Sequence, residues 1–277
     1  ADSCDVQTGG CVFKPIVGCG GNCTKDSQCQ SKNACQLGGA CVAGKCDGGS
    51  STQLDTIAGS GSGNKDGAAK DAKFWEPRGL ARDDKGNLYV ADWRNHAIRK
   101  VSADGQVSTV AGTGKPGNSN GTGNKASFYY PRDVVSDGGG QLWVADTSNH
   151  RVRRIDAKGQ VTSLSGSSAG FADGTGAKVR FNSLRGIARG PSGIMYIADT
   201  YNHRIRKMWL SGTVTTIAGS KAGNADGKGS QARFNLPWAL DIDSHGNVIV
   251  ADYNNHRLRK VDLTTFAVTT VAGSSSQ

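Results

Sequence analysis

The stretch YIADTYNHRIRK, at Tyr196–Lys207, decides the fold, because three close variants of it occur elsewhere in the chain. These variants are LYVADWRNHAIRK (88–100), LWVADTSNHRVRR (142–154) and IVADYNNHRLRK (249–260). The aspartates of the four copies are spaced 54, 53 and 53 residues apart. A fixed period of this length is the signature of a repeat protein, in which each copy is one supersecondary unit that packs against its neighbours.

Each repeat has the pattern of four short strands. A first apolar segment is followed by a Gly-bearing turn such as DDKGN (83–87), which favours an antiparallel hairpin. The second strand ends at the repeated aspartate, the third is basic, and a fourth such as VTTIAG (214–219) closes the unit. The sequence therefore predicts an all-β fold, a β-propeller of four four-stranded blades. These blades span 73–113, 127–167, 180–219 and 233–273.

Two residues separate each repeated aspartate from a following Asn-His pair, and this arrangement resembles the NHL-repeat family. The matching pairs are Asn95/His96, Asn149/His150, Asn202/His203 and Asn255/His256. The first copy departs slightly, since Ala97 stands where the others have arginine. The resemblance covers 73–273 and implies a β-propeller, but it implies little about activity because one fold hosts many functions.

The segment Leu54–Ser60, LDTIAGS, matches the fourth strand of a blade but has no first three strands before it. Three interpretations follow: a closed four-bladed ring with an added edge strand, an arc that another copy completes, or a fragment of a longer protein. An unpaired strand can add to another sheet, and a contact that does not close yields a fibre. We expect assembly through this strand and the last blade, with contact residues Leu54, Thr56, Ile57, Val268, Thr270 and Val271.

All the cysteines lie in the first 50 residues, which predicts a small disulfide module ahead of a propeller domain at 51–277. A zinc site would need C-x2-C or Cys/His pairs, and neither occurs there. The spacing broadly resembles secreted knottin- or EGF-like modules, which implies a secreted, extracellular protein. The eight half-cystines are Cys4, Cys11, Cys19, Cys23, Cys29, Cys35, Cys41 and Cys46.

Two further features fit an extracellular setting. The chain begins Ala-Asp-Ser-Cys, as after signal-peptide removal, and Asn22 and Asn120 lie in N-glycosylation sequons. No apolar run is long enough to cross a bilayer, so we expect no membrane span.

The repeated aspartates and histidines are expected to do structural work within the blades, because a residue that recurs in every blade usually does. A metal ring in the channel is the less favoured alternative. No nucleophile elbow, P-loop, HExxH or EF-hand motif occurs, so we predict no enzyme, no catalytic residue, no metal and no cofactor. The blade-motif residues are Asp92, His96, Asp146, His150, Asp199, His203, Asp252 and His256.

The net charge of +10 belongs to the repeat region, because residues 1–50 contain four lysines and four aspartates. Much of this positive charge lies on the third strands. Two interpretations follow: the charges form salt bridges to neighbouring blades, or they form a basic band that binds an acidic partner. The residues that follow the repeated aspartate differ from blade to blade, and some of them are aromatic. These aromatic side chains either stack on a ligand or partner or pack half-buried within the propeller. The candidate contacts are Arg151, Arg153, Arg154, Trp93, Tyr201 and Tyr253.

Together these features predict a non-enzymatic extracellular structural or interaction protein that assembles head to tail with itself. One alternative is a binding module for acidic polysaccharide or for an extracellular protein. Another is a secreted propeller lyase or hydrolase with a metal in the channel. A nucleic-acid partner is not expected, because the disulfide module argues against an encounter with RNA.

Overall fold

The computed structural model describes residues 55–273 and four two-residue strands nearer the N-terminus. Those strands form two antiparallel pairs, β1 (Cys4–Asp5) with β2 (Gly10–Cys11) and β3 (Cys41–Val42) with β4 (Lys45–Cys46). The predicted disulfide module otherwise lies outside the described residues. Contacts divide the chain into one unit at Ala1–Thr56 and another at Ile57–Gln277. Within the described part of the chain, no helix has the length and apolar character needed to cross a membrane.

The unit from Ile57 contains four antiparallel sheets, one for each sequence repeat. Blade 1 consists of β5 (Gly67–Ala68), β6 (Pro77–Arg82), β7 (Leu88–Asp92), β8 (Ala97–Val101) and β9 (Gln106–Ala111). Blade 2 consists of β10 (Gly121–Thr122), β11 (Pro131–Ser136), β12 (Leu142–Asp146), β13 (Arg151–Ile155) and β14 (Gln160–Ser165). Blade 3 consists of β15 (Gly174–Thr175), β16 (Ile187–Arg189), β17 (Met195–Asp199), β18 (Arg204–Met208) and β19 (Thr213–Gly219). Blade 4 consists of β20 (Gly227–Lys228), β21 (Pro237–Ile242), β22 (Val248–Asp252), β23 (Arg257–Val261) and β24 (Ala267–Ala272).

The four main strands of every blade lie side by side in chain order, which confirms the predicted four-bladed all-β propeller. Each sheet has a fifth strand that the sequence did not predict. The loop before each blade supplies two residues that pair with the outer side of the fourth strand, as Gly67 and Ala68 do with Val107 and Gln106. Two residues carry no periodicity, so only the completed blade reveals this strand.

Three apolar cores join the four blades in sequence. Each core packs one face of a blade against the opposite face of the next, as Ile98 and Ala111 of blade 1 pack with Phe128 and Val134 of blade 2. Equivalent cores join blade 2 to blade 3 and blade 3 to blade 4. The fourth core cluster contains only residues from blade 1 and the segment before it. Among the described residues, therefore, no core cluster joins blade 4 to blade 1.

The first strands of neighbouring blades approach closely because glycine stands at the contact points. A Cβ on Gly79 would lie 2.5 Å from Cα of Asp133, and one on Gly186 would lie 2.9 Å from Cα of Ala239. Any side chain at these positions would push adjacent first strands apart. The glycines thus let the N-terminal ends of the first strands gather in one place.

The segment predicted as a spare strand forms no ladder over its described part, residues 55–60. It nevertheless ends as a fourth strand does. The Ser60 hydroxyl donates to the carbonyl of Ala72 (3.0 Å), as the hydroxyl of Ser167 does to Val179 (3.1 Å). Without a third strand beside it, the segment has no ladder partner, so its position on blade 1 is set by these end contacts.

Candidate functional site

The repeated motif folds into one turn of 3₁₀ helix between the second and third strands of each blade. The turn ends at the histidine, which has left-handed backbone geometry with φ of 52° to 56° in the four copies. Histidine is one of the few non-glycine residues that adopts this geometry with some frequency. This conformation reverses the chain and sends the basic third strand back along the second. The four turns are Trp93–Asn95, Thr147–Asn149, Thr200–Asn202 and Tyr253–Asn255.

The repeated aspartate is the centre of a hydrogen-bond network inside each blade. In blade 2, Oδ1 of Asp146 accepts the backbone N–H of Tyr129 (2.8 Å), just before the first strand. Its Oδ2 accepts from the amide of Asn149 (2.8 Å) and from the guanidinium of Arg153 (2.9 Å). The aspartate thus ties the start of the first strand to the third strand. Its equivalents are Asp92, Asp199 and Asp252, all of them fully buried.

The central arginine of each third strand is also fully buried, and it clamps the loop that enters the blade. In blade 3, Arg206 donates to the carboxylate of Asp199, to the carbonyl of Ala172 (2.8 Å) and to the carboxylate of Asp173 (2.7 Å). Its guanidinium lies 5.2 Å from the ring centre of Phe181, which sits in the same loop. One side chain therefore holds the second strand and the entering loop together. The equivalent arginines are Arg99, Arg153 and Arg259.

Burial and pairing act in opposite directions on these carboxylates. Loss of hydration raises the pKa of Asp146 to about 6, while the Arg153 guanidinium and the Asn149 amide favour the charged form. Burial likewise raises the pKa of Asp92 and of Asp199. The ion pair thus offsets a desolvation cost, which is the setting in which removal of one partner is most damaging.

Each repeated histidine connects its blade to the next. Nδ1 of His150 accepts the backbone N–H of Ser183 (2.9 Å), which has a left-handed φ of 50°. The same contact joins His96 to Tyr130 (3.1 Å) and His203 to Leu236 (3.2 Å). The histidine therefore holds a strained turn residue of the following blade in place. No donor to Nδ1 of His256 lies among residues 55–273, which include four blades and no fifth.

The predicted basic band divides into buried and accessible arginines. Arg153 is removed from the set of possible ligand contacts, because it is fully buried and bound to Asp146. Its neighbours Arg151 and Arg154 are half-buried on the same strand, β13. The guanidinium of Arg151 donates to the carbonyl of Ser167 (3.4 Å). These accessible side chains remain candidates for a ligand or partner.

The predicted aromatic contacts all lie within the one-turn helices, at the end of the propeller where the first strands begin. The ring of Trp93 stacks on Tyr130 with centroids 4.5 Å apart, and Tyr253 packs edge-on against Trp238 at 3.9 Å. Tyr201 is half-exposed, and its hydroxyl accepts from Arg185 at 3.4 Å. Trp93, Tyr201 and Tyr253 are therefore parts of a larger arginine–aromatic cluster.

That cluster contains residues that the sequence analysis missed. Arg78, Arg132, Arg185 and Trp238 occupy the same position at the start of the four blades, at intervals of 54, 53 and 53 residues. Together they line a pocket of 390 Å³. The signal was present in the repeated Pro-Arg, Leu-Arg and Pro-Trp pairs, but the sequence does not show that they meet.

The residues predicted for assembly have different surroundings. Val268 is buried in the core between blades 3 and 4, and the N–H of Thr270 donates to Asp226 of its own blade (3.1 Å). Ile57 and Val271 are largely exposed, at 70% and 57%. Leu54 lies outside the described residues. The apolar faces of the end blades are thus more accessible than the outer edge of the last sheet.

The other predicted sites can be placed only in part. Asn120 is exposed, and its Oδ1 accepts from Arg153 (3.0 Å) at the position where the other blades have Asp66, Asp173 and Asp226. Asn22 lies outside the described residues. No cluster of three or more His, Cys, Asp or Glu side chains able to hold a metal occurs in the described part of the chain.

Comparison with known proteins supports the NHL repeat family. The model described as "NHL repeat" matches residues 74–101, 128–155 and 234–261. NHL repeat-containing protein 2 of Gallus gallus is 30% identical over 267 residues, which cover 80% of this chain and 36% of that protein. Protein SUPPRESSOR OF QUENCHING 1, chloroplastic, of Arabidopsis thaliana is 29% identical over 276 residues, which cover 73% of this chain and 26% of that protein. The chain thus spans well under half the length of these relatives.

Solved structures share the fold. An auxiliary nutrient binding protein from Bacteroides thetaiotaomicron matches with a TM-score of 0.58 at 21% identity, over 72% of this chain and 49% of that one. A streptogramin B lyase matches with a TM-score of 0.50 at 12% identity, over 70% of this chain and 53% of that one. At these identities the likeness concerns the fold alone.

We predict that Asp199→Ala destabilises the protein by about 3–5 kcal/mol, because it removes the buried carboxylate that pairs with the buried Arg206 guanidinium. Asp173→Ala is the matched control, since it removes a half-exposed carboxylate from the same arginine. We expect it to cost only about 1 kcal/mol. Urea unfolding followed by circular dichroism measures both values, and equal losses in the two variants would contradict a central role for the buried pair.

We also predict that His150→Asn destabilises the protein by about 1–3 kcal/mol at pH 7.5, because the Ser183 N–H loses its acceptor. Burial lowers the pKa of His150 below its usual value near 6.5, so the unfolded chain takes up the proton first as the pH falls. The stabilisation by His150 is therefore present above pH 6.5 and is lost below it.

The difference in unfolding free energy between native protein and His150→Asn should accordingly shrink between pH 7.5 and pH 5. His256→Asn, measured on chain dilute enough to be unassociated, is the control, because Nδ1 of His256 receives no donor in the described residues and its change should cost little. Urea titrations across this pH range test the contact, and a pH-independent difference would rule it out.

Proposed function

We propose that this NHL-repeat β-propeller is a non-enzymatic interaction protein whose two end blades associate head to tail with further copies of the same chain. The observation that carries the proposal is the exposure of apolar residues at register positions that are buried in every internal interface. Leu80 of blade 1 is 64% exposed, whereas its equivalents Val134, Ile187 and Leu240 are 1%, 2% and 8% exposed. Leu258 of blade 4 is 44% exposed, whereas its equivalents in blades 1–3 are fully buried.

The two open faces have opposite halves of the same interface. Blade 4 has the face that internal blades turn toward the next blade, and it includes Leu258, Val271 and Ala272. Blade 1 has the face that internal blades turn toward the preceding blade, and it includes Leu80. Full burial of a leucine or valine side chain contributes about 1.5–3 kcal/mol. The blade 1 face of a second copy therefore has the shape and apolar character that fit the open face of blade 4, because internal blades pack through the same two faces.

The polar contacts at the ends are complementary as well. Each internal histidine accepts, through Nδ1, a backbone N–H of the next blade, and Nδ1 of His256 is the equivalent acceptor in blade 4. Glu76 of blade 1 has the sequence position of the residues that donate to these histidines, and it has the same left-handed geometry, with a φ of 52°. A pocket of 260 Å³ beside Gly273 corresponds to the place where Phe181 and Phe234 lie against Gly166 and Gly219. Phe74 of a second copy would fill it.

The segment before blade 1 bears on this contact. Ala58 packs against the core of blade 1, and a Cβ on Gly59 would lie 3.3 Å from the ring of Phe74. Residues 57–60 therefore lie where the last strand of a preceding blade would lie. This arrangement favours stacking of blade faces over the strand pairing that the sequence suggested, because Asp226 and β20 already cover the outer edge of β24.

We predict that the native chain associates in a concentration-dependent manner and that Leu258→Asp abolishes this association. A carboxylate in the centre of the contact would have to be desolvated without a partner. Leu210→Asp is the matched control, because Leu210 is 51% exposed in a turn of blade 3, away from the end faces. Sedimentation velocity measures the outcome, and a native chain that stays monomeric throughout the concentration range would refute the proposal.

Deletion of residues 51–60 separates the two modes of assembly. If blade faces stack, the deletion removes a segment that competes for Phe74, and we expect association to become stronger. Loss of association on deletion would instead favour pairing of this segment with the neighbouring subunit.

We further propose that the protein is extracellular, on the basis of the cysteines at Cys4–Cys46 and the exposed sequon at Asn120. Disulfides persist in oxidising compartments and are rare in reducing ones. We expect that protein purified from a secretory host resists thiol alkylation until it is reduced and then takes up label at every cysteine. Mass spectrometry measures the uptake, and full labelling without reduction would contradict the proposal.

A further inference from the structure

The pocket at the start of the first strands is built by the same position of all four blades. Arg78, Arg132 and Arg185 supply three guanidinium groups, and Trp238 takes the fourth place. The glycine contacts between adjacent first strands bring these side chains together. The pocket has a volume of 390 Å³, and its lining includes neither Leu80 nor Leu258 of the end faces.

The charge in this pocket is largely uncompensated. Within residues 55–273, Arg132 and Arg185 form no salt bridge, and Arg78 pairs only with the exposed Glu76 (3.2 Å). By contrast, all four arginines in the centres of the third strands are paired with buried aspartates. Burial, followed by repulsion from Arg185 and Arg78, lowers the pKa of Arg132 to about 10. Like charges held together without a counter-charge are costly unless a ligand supplies one.

Among the described residues, the one carboxylate that lines the pocket offsets only part of the charge of three guanidinium groups. Asp133 lines the same pocket, but its Oδ1 accepts the N–H of Val134 (2.9 Å) and its Oδ2 accepts the N–H of Ile187 (3.0 Å). Both oxygens are thus engaged by backbone donors that fix the first strands of blades 2 and 3. Asp133 therefore serves the framework of the pocket, and although its charge attracts Arg132, the three guanidinium groups leave an excess of positive charge.

The arginines are held by aromatic faces, which leaves their N–H edges for a ligand. Guanidinium carbons of Arg132 and Arg185 lie 4.5 Å and 4.2 Å from the ring centre of Trp238, and that of Arg78 lies 4.2 Å from Trp93. A stacked guanidinium still presents its donors in its own plane. The Nε of Arg185 is buried and, in the described part of the chain, has no hydrogen-bond partner.

We propose that this pocket binds a tetrahedral oxyanion, a sulfate or phosphate ester group of a small molecule or sugar. Three guanidinium groups arrive from three blades, and a tetrahedral oxyanion has three terminal oxygens to receive them, whereas a carboxylate has only two. Arginine donors form charge-assisted, often bidentate hydrogen bonds with such groups. The volume of the pocket exceeds that of the anion alone, so part of the attached molecule fits as well.

Calorimetric titration of the full chain with glucose 6-phosphate, glucose 6-sulfate, inorganic phosphate, acetate and glucose tests the proposal. We expect the phosphate or sulfate ester to bind and acetate and glucose to bind at least about tenfold more weakly, since one charge-assisted hydrogen bond is worth about that factor. Preference for the phosphate or for the sulfate ester identifies the source of the anion. Absence of binding by every oxyanion, or equal binding of acetate, would overturn the proposal.

Variants connect the binding to the pocket. Arg132→Gln and Arg185→Gln should each weaken ester binding by about tenfold or more, while Arg189→Gln, which removes an exposed arginine outside the pocket, should not. Because Arg132 is repelled by its neighbours, Arg132→Gln should melt at the native temperature or above it, so lost binding cannot be ascribed to unfolding. Equal affinities of Arg132→Gln and Arg189→Gln would refute the assignment.

The site is independent of the association of the end blades. Leu258→Asp should bind the ester with native affinity, because Leu258 lies on the open face of blade 4. Failure of head-to-tail association and failure of anion binding are therefore separate outcomes.

Discussion

A buried ion pair between the second and third strands organises each blade. The aspartate that ends the second strand and the arginine in the middle of the third are both fully buried, and each binds backbone groups as well as its partner. Either charge alone would be expensive to bury, so the two residues must be kept together. Through the arginine the pair fixes the entering loop, and through the aspartate it fixes the start of the first strand. The recurring motif is thus an internal clamp of the blade and has little direct connection with a ligand.

The stability of such a protein is distributed along the chain, because each blade contacts mainly the next one. Three kinds of contact recur at each junction: an apolar face, a phenylalanine from the entering loop, and a histidine that holds the next turn. At the first and last described blades, each of these contacts has the groups of one side only, and the groups that would complete it are absent from the described residues. The incomplete halves are complementary because they derive from the same repeat. This complementarity is the physical reason for our proposal that a second copy of the chain covers the end faces.

Arginine has two opposite roles in this fold, and the difference lies in its partners. On the third strands each central arginine is buried with a carboxylate, so its charge is neutralised by an ion pair inside the blade. At the start of the first strands an arginine rests on tryptophan and faces other arginines, so its charge remains available. The net charge of +10 does not distinguish these roles. What distinguishes them is whether an aspartate from the same blade reaches the guanidinium.

The sequence by itself determined the repeat, the number of blades, their four main strands and the turns between them, because alternation and turn chemistry are local properties that recur four times. It also singled out the aspartates and histidines, although it did not show that Arg153 is buried or that Asp146 binds the N–H before the first strand. Only the tertiary structure decided the two-residue edge strands, the position of residues 57–60 on blade 1, the open end faces and the meeting of Arg78, Arg132 and Arg185. Each of these depends on pairing or packing between separate segments, from 12 residues apart for Ser60 and Ala72 to 54 residues apart for Arg78 and Arg132, and no local pattern records which segments meet.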